Sequence, residues 1–325
     1  MLEMILTLLL AVHLLAVNVA SAGPLVCVWL HRRCFRHGDA LAGQVGLRLA
    51  RMSLFLFTLG VIIGAVQLGL LWWVRDVPSV DQRYFNAMRQ FPAAKYWYTL
   101  GELLFFCLCM APYVWLWNHW GERRFWHGLL AVLAATNLLY HFPSLMAMLA
   151  VIPGRADWQE VTITPDVYRR MILDGEVLAR VVHVWLASVA TTGVAVMILA
   201  MRATAQDAQP DRAARLASCG ARVALVATLL QLLVGVWLLL TLPATAQSAL
   251  LGEDTLGAGL MLLSLFAVMG LIHVLAAASI GDVSRRTVIR STVLLVVIVV
   301  LMSGTLRRAD QKSWGREAEV PSAPI

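Results

Sequence analysis

The sequence predicts an all-α membrane protein, a bundle of about eight transmembrane helices. Hydrophobic residues make up 60% of the 325 residues and charged residues 14%, whereas soluble domains average ~45–50% and ~25%. The apolar residues also gather in uninterrupted runs of roughly 17–25 residues, the length that crosses a bilayer. Because backbone polar groups in lipid must be satisfied within the chain, such runs fold as helices.

Eight apolar runs bounded by charged residues are the candidate spans. They cover residues 4–30, 53–74, 96–118, 126–151, 181–201, 220–242, 256–280 and 288–306. The bundle is therefore predicted over residues 1–306, and the charged, proline-containing segment 307–325 is predicted to be a disordered tail. The first run also resembles a signal peptide that ends at Ala20-Ser21-Ala22. However, only Glu3 precedes the run and three arginines follow it, which favours retention as a transmembrane helix.

The basic residues indicate the orientation of the bundle. The loops that follow the odd-numbered spans hold fourteen arginines, whereas the loops that follow the even-numbered spans hold eight basic residues and most of the acidic ones. Because cytoplasmic loops are enriched in Lys and Arg, the odd loops are predicted to be cytoplasmic and the N-terminus to lie outside. The net charge of +7 belongs to these loops, so no nucleic-acid partner is expected.

Ionisable groups inside a span cost about 2.5–3.5 kcal/mol each, so they are candidates for function. Four of them, His13, Glu102, His141 and His183, lie within about ten residues of the outer ends of their spans, as does the thioether of Met261. At about 1.5 Å per residue, all five are predicted to lie in the outer half of the bilayer. His273 is a fifth ionisable group within a span.

Neutral imidazoles and a thioether in a dry bundle are the axial ligands of haem b, and a His/Met pair raises the reduction potential of the iron. His273 lies roughly 18 Å deeper than Met261, so we interpret it as hydrogen-bonded between helices. The histidines near the cytoplasmic ends are interpreted as interfacial. They are His31, His37, His119 and His127. The five cysteines form no CxxC or CxxCH, which argues against covalent haem and iron–sulfur sites.

Short motifs follow one another in five of the predicted spans. They read His13-Leu14-Leu15, Leu59-Gly60-Val61-Ile62-Ile63-Gly64, Gly101-Glu102-Leu103, Thr136-Asn137-Leu138 and Val177-Leu178-Ala179-Arg180-Val181-Val182-His183. In their order, spacing and orientation they resemble subunit I of the cytochrome bd quinol oxidase family over about residues 1–305.

The resemblance implies roles for individual residues. His183 and Met261 would ligate the iron of a low-spin haem b, His13 would ligate a haem of the oxygen-reacting pair, and Glu102 would be the catalytic carboxylate beside that pair. The resemblance also implies an integral protein of the bacterial inner (cytoplasmic) membrane, working with a second membrane subunit or a larger respiratory complex, with quinol as a candidate donor. One haem b is predicted, and two or more stay open.

The sequence departs from the family at several functional positions. In the third span, Met110 stands where the family has its second acidic residue. In the eighth span, Leu301-Met302-Ser303-Gly304 stands where the family has a haem-ligating glutamate. Gly259 replaces an arginine, the loop between the sixth and seventh spans shrinks to about Leu242–Thr255, and a ninth helix is missing. These departures count against oxygen reduction, whereas the low-spin haem ligands are retained.

Three functions remain open from the sequence. The favoured one is a membrane-bound haem b protein that transfers electrons within a respiratory complex. A separate hypothesis is that His13, together with His141 or Glu102, holds a second haem; the alternative is that His141 is a polar histidine before a kink at Pro143. The second is a short quinol:oxygen oxidoreductase, in which Glu102 delivers protons; any enzyme activity would be of this class. The third is a haem-free transporter or scaffold that uses the same polar residues to join helices.

Overall fold

A computed structural model describes residues 2–73, 83–119, 124–159, 161–207 and 210–315. These residues form helices joined by short connections, with no strand among them. Eight of the helices are long and apolar enough to cross a membrane. The predicted all-α class and the predicted number of spans are therefore confirmed.

The α-helices in the described residues are numbered in chain order. They are α1 Leu2–His37, α2 Ala40–Trp73, α3 Arg83–Arg89, α4 Ala93–Trp115, α5 Arg124–Val151, α6 Pro165–Ile172, α7 Gly175–Asp207, α8 Pro210–Thr241, α9 Ala244–Ser248, α10 Thr255–Ser279 and α11 Arg285–Gly315. The spanning helices are α1, α2, α4, α5, α7, α8, α10 and α11. A π-helical turn, Ala249–Glu253, joins α9 to α10, and Gly252 adopts a φ of 142° in it.

Several helices extend well beyond the predicted apolar runs. The second run is predicted to begin at residue 53, but α2 begins at Ala40 and continues through Arg48 and Arg51. Asp39 starts this helix, because its Oδ1 accepts a hydrogen bond from the backbone N–H of Ala42 at 3.1 Å. Hydropathy detects the part of a helix that suits lipid, whereas the backbone ladder continues into polar ends.

Two sets of contacts define the two ends of the bundle. At one end, Glu3 near the start of α1 pairs with Arg307 of α11, and Asp254 before α10 pairs with Arg308. Arg180 in the first turns of α7 pairs with Asp310 of α11 at 2.7 Å. We call this the Glu3 end, and it holds the starts of α1, α7 and α10.

The opposite end, which we call the His127 end, holds the ends of α1, α4 and α10. The ring of His127 at the start of α5 lies 4.9 Å from that of His31 near the end of α1, and Ser218 of α8 donates to the carbonyl of Ala278 of α10. Thus α1, α4, α7 and α10 run from the Glu3 end to the His127 end, and the other four spans return.

The interior is packed through small residues, as is usual between membrane helices. A Cβ atom on Gly193 of α7 would lie 2.7 Å from the carbonyl oxygen of Gly220 of α8, so only glycine allows these helices to approach so closely. A buried hydrogen bond of 2.9 Å joins Ser188 of α7 to Asn18 of α1. This bond fixes the register between α1 and α7, the two helices that carry His13 and His183.

The C-terminal end of α11 differs from the sequence prediction. The bundle is predicted to end at residue 306, but α11 continues to Gly315. The reason is ion pairing: Arg180 is 8% exposed and bridges the carboxylates of Glu176, at 2.8 Å, and Asp310. The indole of Trp314 also donates to the carbonyl of Ala150. The rest of the predicted tail, 316–325, lies outside the described residues.

The pair between Asp254 and Arg308 should make stability depend on pH in acid. The hydrogen bond from Arg308 holds the pKa of Asp254 below its usual value. The pair therefore stabilises the fold above the unfolded-state pKa of about 3.9, and this contribution disappears as the pH falls through the lower folded-state pKa. We expect D254N to lower the unfolding temperature in detergent by roughly 2 °C at neutral pH, for a pair worth about 1 kcal/mol.

The pH dependence separates this effect from a general loss of stability. The difference between D254N and the wild type should shrink below about pH 4, where the wild-type carboxylate also becomes neutral. The exposed Asp157 offers a matched control, D157N, which should follow the wild type throughout. A difference that persists unchanged at low pH would contradict this account.

Candidate functional site

All five predicted site residues lie towards the Glu3 end of their helices. His183 and Met261 occur within the first three turns of α7 and α10, and Glu102 within the first three turns of α4. His141 lies in the last three turns of α5, and His13 lies about three turns into α1. The five side chains therefore lie at similar levels, and four different contacts hold them.

His183 faces α8 through its imidazole. The side-chain amide of Gln231 donates to Nε2 of His183 at 3.2 Å and approaches its carbonyl oxygen at 3.5 Å. A neutral imidazole that accepts at Nε2 carries its proton on Nδ1. That Nδ1 atom is buried and has no hydrogen-bond partner in the part of the chain that the structure describes, which costs about 1–3 kcal/mol.

His13 packs against α2, and its imidazole, like that of His183, carries its proton on Nδ1. Its Nδ1 donates to the carbonyl oxygen of Gly60 at 2.8 Å, and its ring lies on Gly64, where a Cβ atom would be 3.0 Å from Cε1 of the imidazole. The lone pair of the ring is therefore on Nε2. A histidine that binds a metal commonly donates its other ring N–H to a backbone carbonyl in this way.

The two histidines lie at the same level of the bundle. His13 is five residues before Asn18, and His183 is five residues before Ser188, the residue that bonds to Asn18. Because α1 and α7 run in the same direction, equal offsets give equal depth. This agrees with the depth that the sequence predicts for both residues.

Glu102 and His141 lie in contact between α4 and α5. Nδ1 of His141 lies 3.0 Å from Oε1 of Glu102, and the amide of Asn137 donates to the carbonyl of Glu102 at 2.8 Å. No hydrogen bond or ion pair joins His13 to either residue in the described ranges. The structure thus brings together Glu102 and His141, and His13 is held separately by α2. A carboxylate beside an imidazole can exchange a proton with it.

Met261 packs against an apolar cluster just beyond the end of α8. With Leu238 and Leu239 it surrounds a small apolar cluster formed by Leu242, Ala246, Leu250 and Ala309. Leu238 is two turns beyond Gln231 on the same face of α8, roughly 10 Å along the helix axis. The structure therefore places His183 beside Gln231, and Met261 beside an apolar cluster that begins about three turns further along the chain at Leu242.

Three histidines lie in surroundings that differ from those predicted from the sequence. His273 is exposed on α10 and makes no hydrogen bond in the described residues, so it does not join helices. His127 is fully buried rather than interfacial, with its ring stacked 4.1 Å from that of Tyr113, and His31 is buried beside it. Gln231 was missed by the sequence reasoning, although a glutamine inside an apolar run was a usable signal.

The described residues contain no group of three or more His, Cys, Asp or Glu side chains that could hold a metal ion. The candidate donor atoms of the site are therefore the nitrogens of separate imidazoles and the sulfur of one thioether. Such donors suit a metal whose equatorial ligands come from elsewhere, as in haem, where the protein supplies only axial ligands.

The fold is similar to that of a chain of known structure. It matches a chain in a structure described as bd oxidase from Geobacillus thermodenitrificans, with a TM-score of 0.72 and 16% sequence identity, over 96% of this chain and 87% of that chain. No family model matches the sequence, and no curated protein matches it significantly. The protein is therefore an integral membrane helix bundle with the fold of a bd oxidase chain.

Proposed function

We propose that the protein is a haem b electron-transfer subunit of a respiratory complex in the bacterial inner membrane, with its N-terminus outside. The observation that carries the proposal is the placement of His13 and His183 at one level of a bd oxidase fold, each with its lone pair on Nε2. Neutral imidazoles with this tautomer are ready to bind iron. A second membrane subunit or quinol would supply the electrons.

In this proposal, His183 and Met261 would hold one haem b. They lie on different helices, and Nε2 of His183, which now accepts from Gln231, is the atom that would face the iron. When bound, haem b supplies one-electron redox chemistry, and a His/Met pair favours a high potential. The chain itself orients the two ligands, and the apolar cluster beside Met261 excludes water from the sulfur. His13 is the candidate ligand of a second haem.

A reduced-minus-oxidised optical spectrum of the purified protein, with and without carbon monoxide, tests this proposal. We expect the bands of low-spin haem b and no change on adding carbon monoxide, because both axial positions are filled. A colourless protein would overturn the proposal in favour of a transporter or scaffold.

A short quinol:oxygen oxidoreductase is the second candidate, and the Glu102–His141 pair favours it. Such a pair near one end of the bundle could deliver protons to a reacting centre. This candidate requires a haem with an open axial position, so a response of the wild-type spectrum to carbon monoxide would select it over the electron-transfer function.

Replacing Met261 by leucine should open one axial position while the haem is retained. Leucine keeps the apolar volume of the site, so the expected result is loss of the low-spin spectrum and a new response of the reduced protein to carbon monoxide. The matched control is M269L on the same helix, since Met269 is 55% exposed. If M261L and M269L both keep the wild-type spectrum, Met261 is not a ligand.

A further inference from the structure

A cavity of about 460 Å³ opens at the His127 end of the bundle, away from the proposed haem ligands. It lies where the end of α1, the turn before α2 and the first turns of α8 meet. Its lining residues are Arg33, His37, Gly38, Asp39, Arg212 and Arg215. Three arginines against one carboxylate leave the cavity with a net positive charge.

The single carboxylate of the cavity is already engaged. Oδ2 of Asp39 accepts a hydrogen bond from Nε of Arg33 at 2.7 Å, and Oδ1 caps α2 through Ala42. Burial alone would raise the pKa of Asp39, but the hydrogen bond from Arg33 and the charge of Arg212 outweigh it and lower that pKa. Asp39 is therefore ionised at neutral pH and neutralises one arginine.

The other two arginines keep their charges available. Arg212 and Arg215 are three residues apart in the first turns of α8, so they share one face of the helix, and both are exposed. Neither pairs with a carboxylate within the described ranges. A cavity of this size with two exposed guanidinium groups that form no ion pair in the described residues suits an oxyanion, because guanidinium donors match phosphate oxygens in geometry.

The surface below the cavity is apolar. Trp29 and Leu25 lie one and two turns from Arg33 on the same face of α1, and they are among the exposed large hydrophobic residues of the chain. The guanidinium carbon of Arg33 lies 5.9 Å from the centre of the Trp29 ring. A charged group in the cavity would thus continue directly into a lipid-facing surface.

We propose that this arginine pocket binds the phosphate group of an anionic lipid headgroup, with an acyl chain along Trp29 and Leu25. Basic pockets between membrane helices recognise anionic headgroups through such contacts. The inference is independent of haem binding, since the pocket lies at the opposite end of the bundle from the proposed ligands.

The test is thermal unfolding of the full chain in detergent with added phosphatidylglycerol, phosphatidylcholine or inorganic phosphate. We expect phosphatidylglycerol alone to raise the unfolding temperature in a saturable way. An equal rise with inorganic phosphate would overturn the assignment to a lipid, and an equal rise with phosphatidylcholine would overturn the assignment to an anion.

Two double variants locate the effect. R212Q/R215Q should weaken the apparent affinity for phosphatidylglycerol roughly 30-fold, given the typical contribution of two arginines at an anionic surface. R285Q/R286Q removes the same charge from two exposed arginines at the start of α11, at the same end of the bundle, and should leave the affinity unchanged. An equal loss of affinity in both variants would overturn the assignment of the lipid site to this pocket.

The variant D39N should change the affinity for phosphatidylglycerol in the opposite direction. Asparagine caps a helix as well as aspartate does, so α2 should keep its start, while Arg33 loses its carboxylate partner. We expect D39N to bind phosphatidylglycerol more tightly, by about fivefold for one charge. An unchanged or weaker affinity in D39N would contradict a phosphate site in this cavity.

Discussion

Replacement of His183 by alanine should remove the low-spin haem b spectrum from the purified protein. Alanine supplies no ligand atom, and loss of even an outer-shell partner of a metal ligand costs about 10–100-fold in affinity, so loss of the ligand itself should exceed roughly 100-fold. The measurement is the ratio of haem to protein, together with the reduced-minus-oxidised spectrum. Helix content should stay at the wild-type value, because the substitution also removes a buried Nδ1 that lacks a partner.

The matched control for this experiment is H273A. His273 is an imidazole on another spanning helix, but it is exposed on the outer surface of α10. H273A should therefore keep the full haem content. If H183A retains the wild-type spectrum, or if both variants lose it to the same extent, then His183 is not an axial ligand.

Replacement of Arg180 by methionine should give the largest loss of stability. Arg180 lies between the buried carboxylates of Glu176 and Asp310, and removing it leaves two carboxylates without their main counter-charge. Breaking a buried pair in this way costs about 3–5 kcal/mol, which corresponds to a fall of roughly 10 °C in the unfolding temperature. Thermal unfolding in detergent measures it.

Two further variants show whether the loss comes from the stranded carboxylates. R169M breaks a pair with Asp166 in which both side chains are mostly exposed, so it should cost less than about 1 kcal/mol. In the triple variant E176Q/R180M/D310N no charge is left buried, and most of the lost stability should return. A triple variant as unstable as R180M would show that the arginine acts through packing instead.

The spanning helices could be predicted because each apolar run reports directly on its own contact with lipid. Their ends could not, because Arg48 and Arg51 interrupt the apolar pattern before residue 53 and charged residues follow residue 306. The helical end of α11 depends on the pairing of Asp310 with Arg180, which lies 130 residues away in the chain. A pairing over such a distance leaves no local pattern in the sequence.

The depth of the candidate ligands could also be predicted, because it requires only the rise per residue along a helix. Their partners could not be predicted in the same way. Whether His183 meets Gln231, or His141 meets Glu102, depends on the rotation of each helix about its axis. That rotation is set by close packing such as the approach of Gly193 to Gly220.

The burial of His127 could not be predicted from the sequence either. Histidines near the ends of apolar runs are expected at the interface, but His127 is buried, stacked on Tyr113 and bonded to its carbonyl oxygen at 2.8 Å. The backbone of α4 thus satisfies Nε2 of the buried ring. Only the arrangement of α4 against α5 reveals this.

An experimental density map of the purified protein, resolved at the level of side chains, tests the central claim most directly. The account predicts a tetrapyrrole between α7 and α10 with iron bonded to Nε2 of His183 and to the sulfur of Met261, and with the amide of Gln231 displaced from the imidazole. A map in which that amide still rests on Nε2, with no tetrapyrrole beside it, would contradict the account.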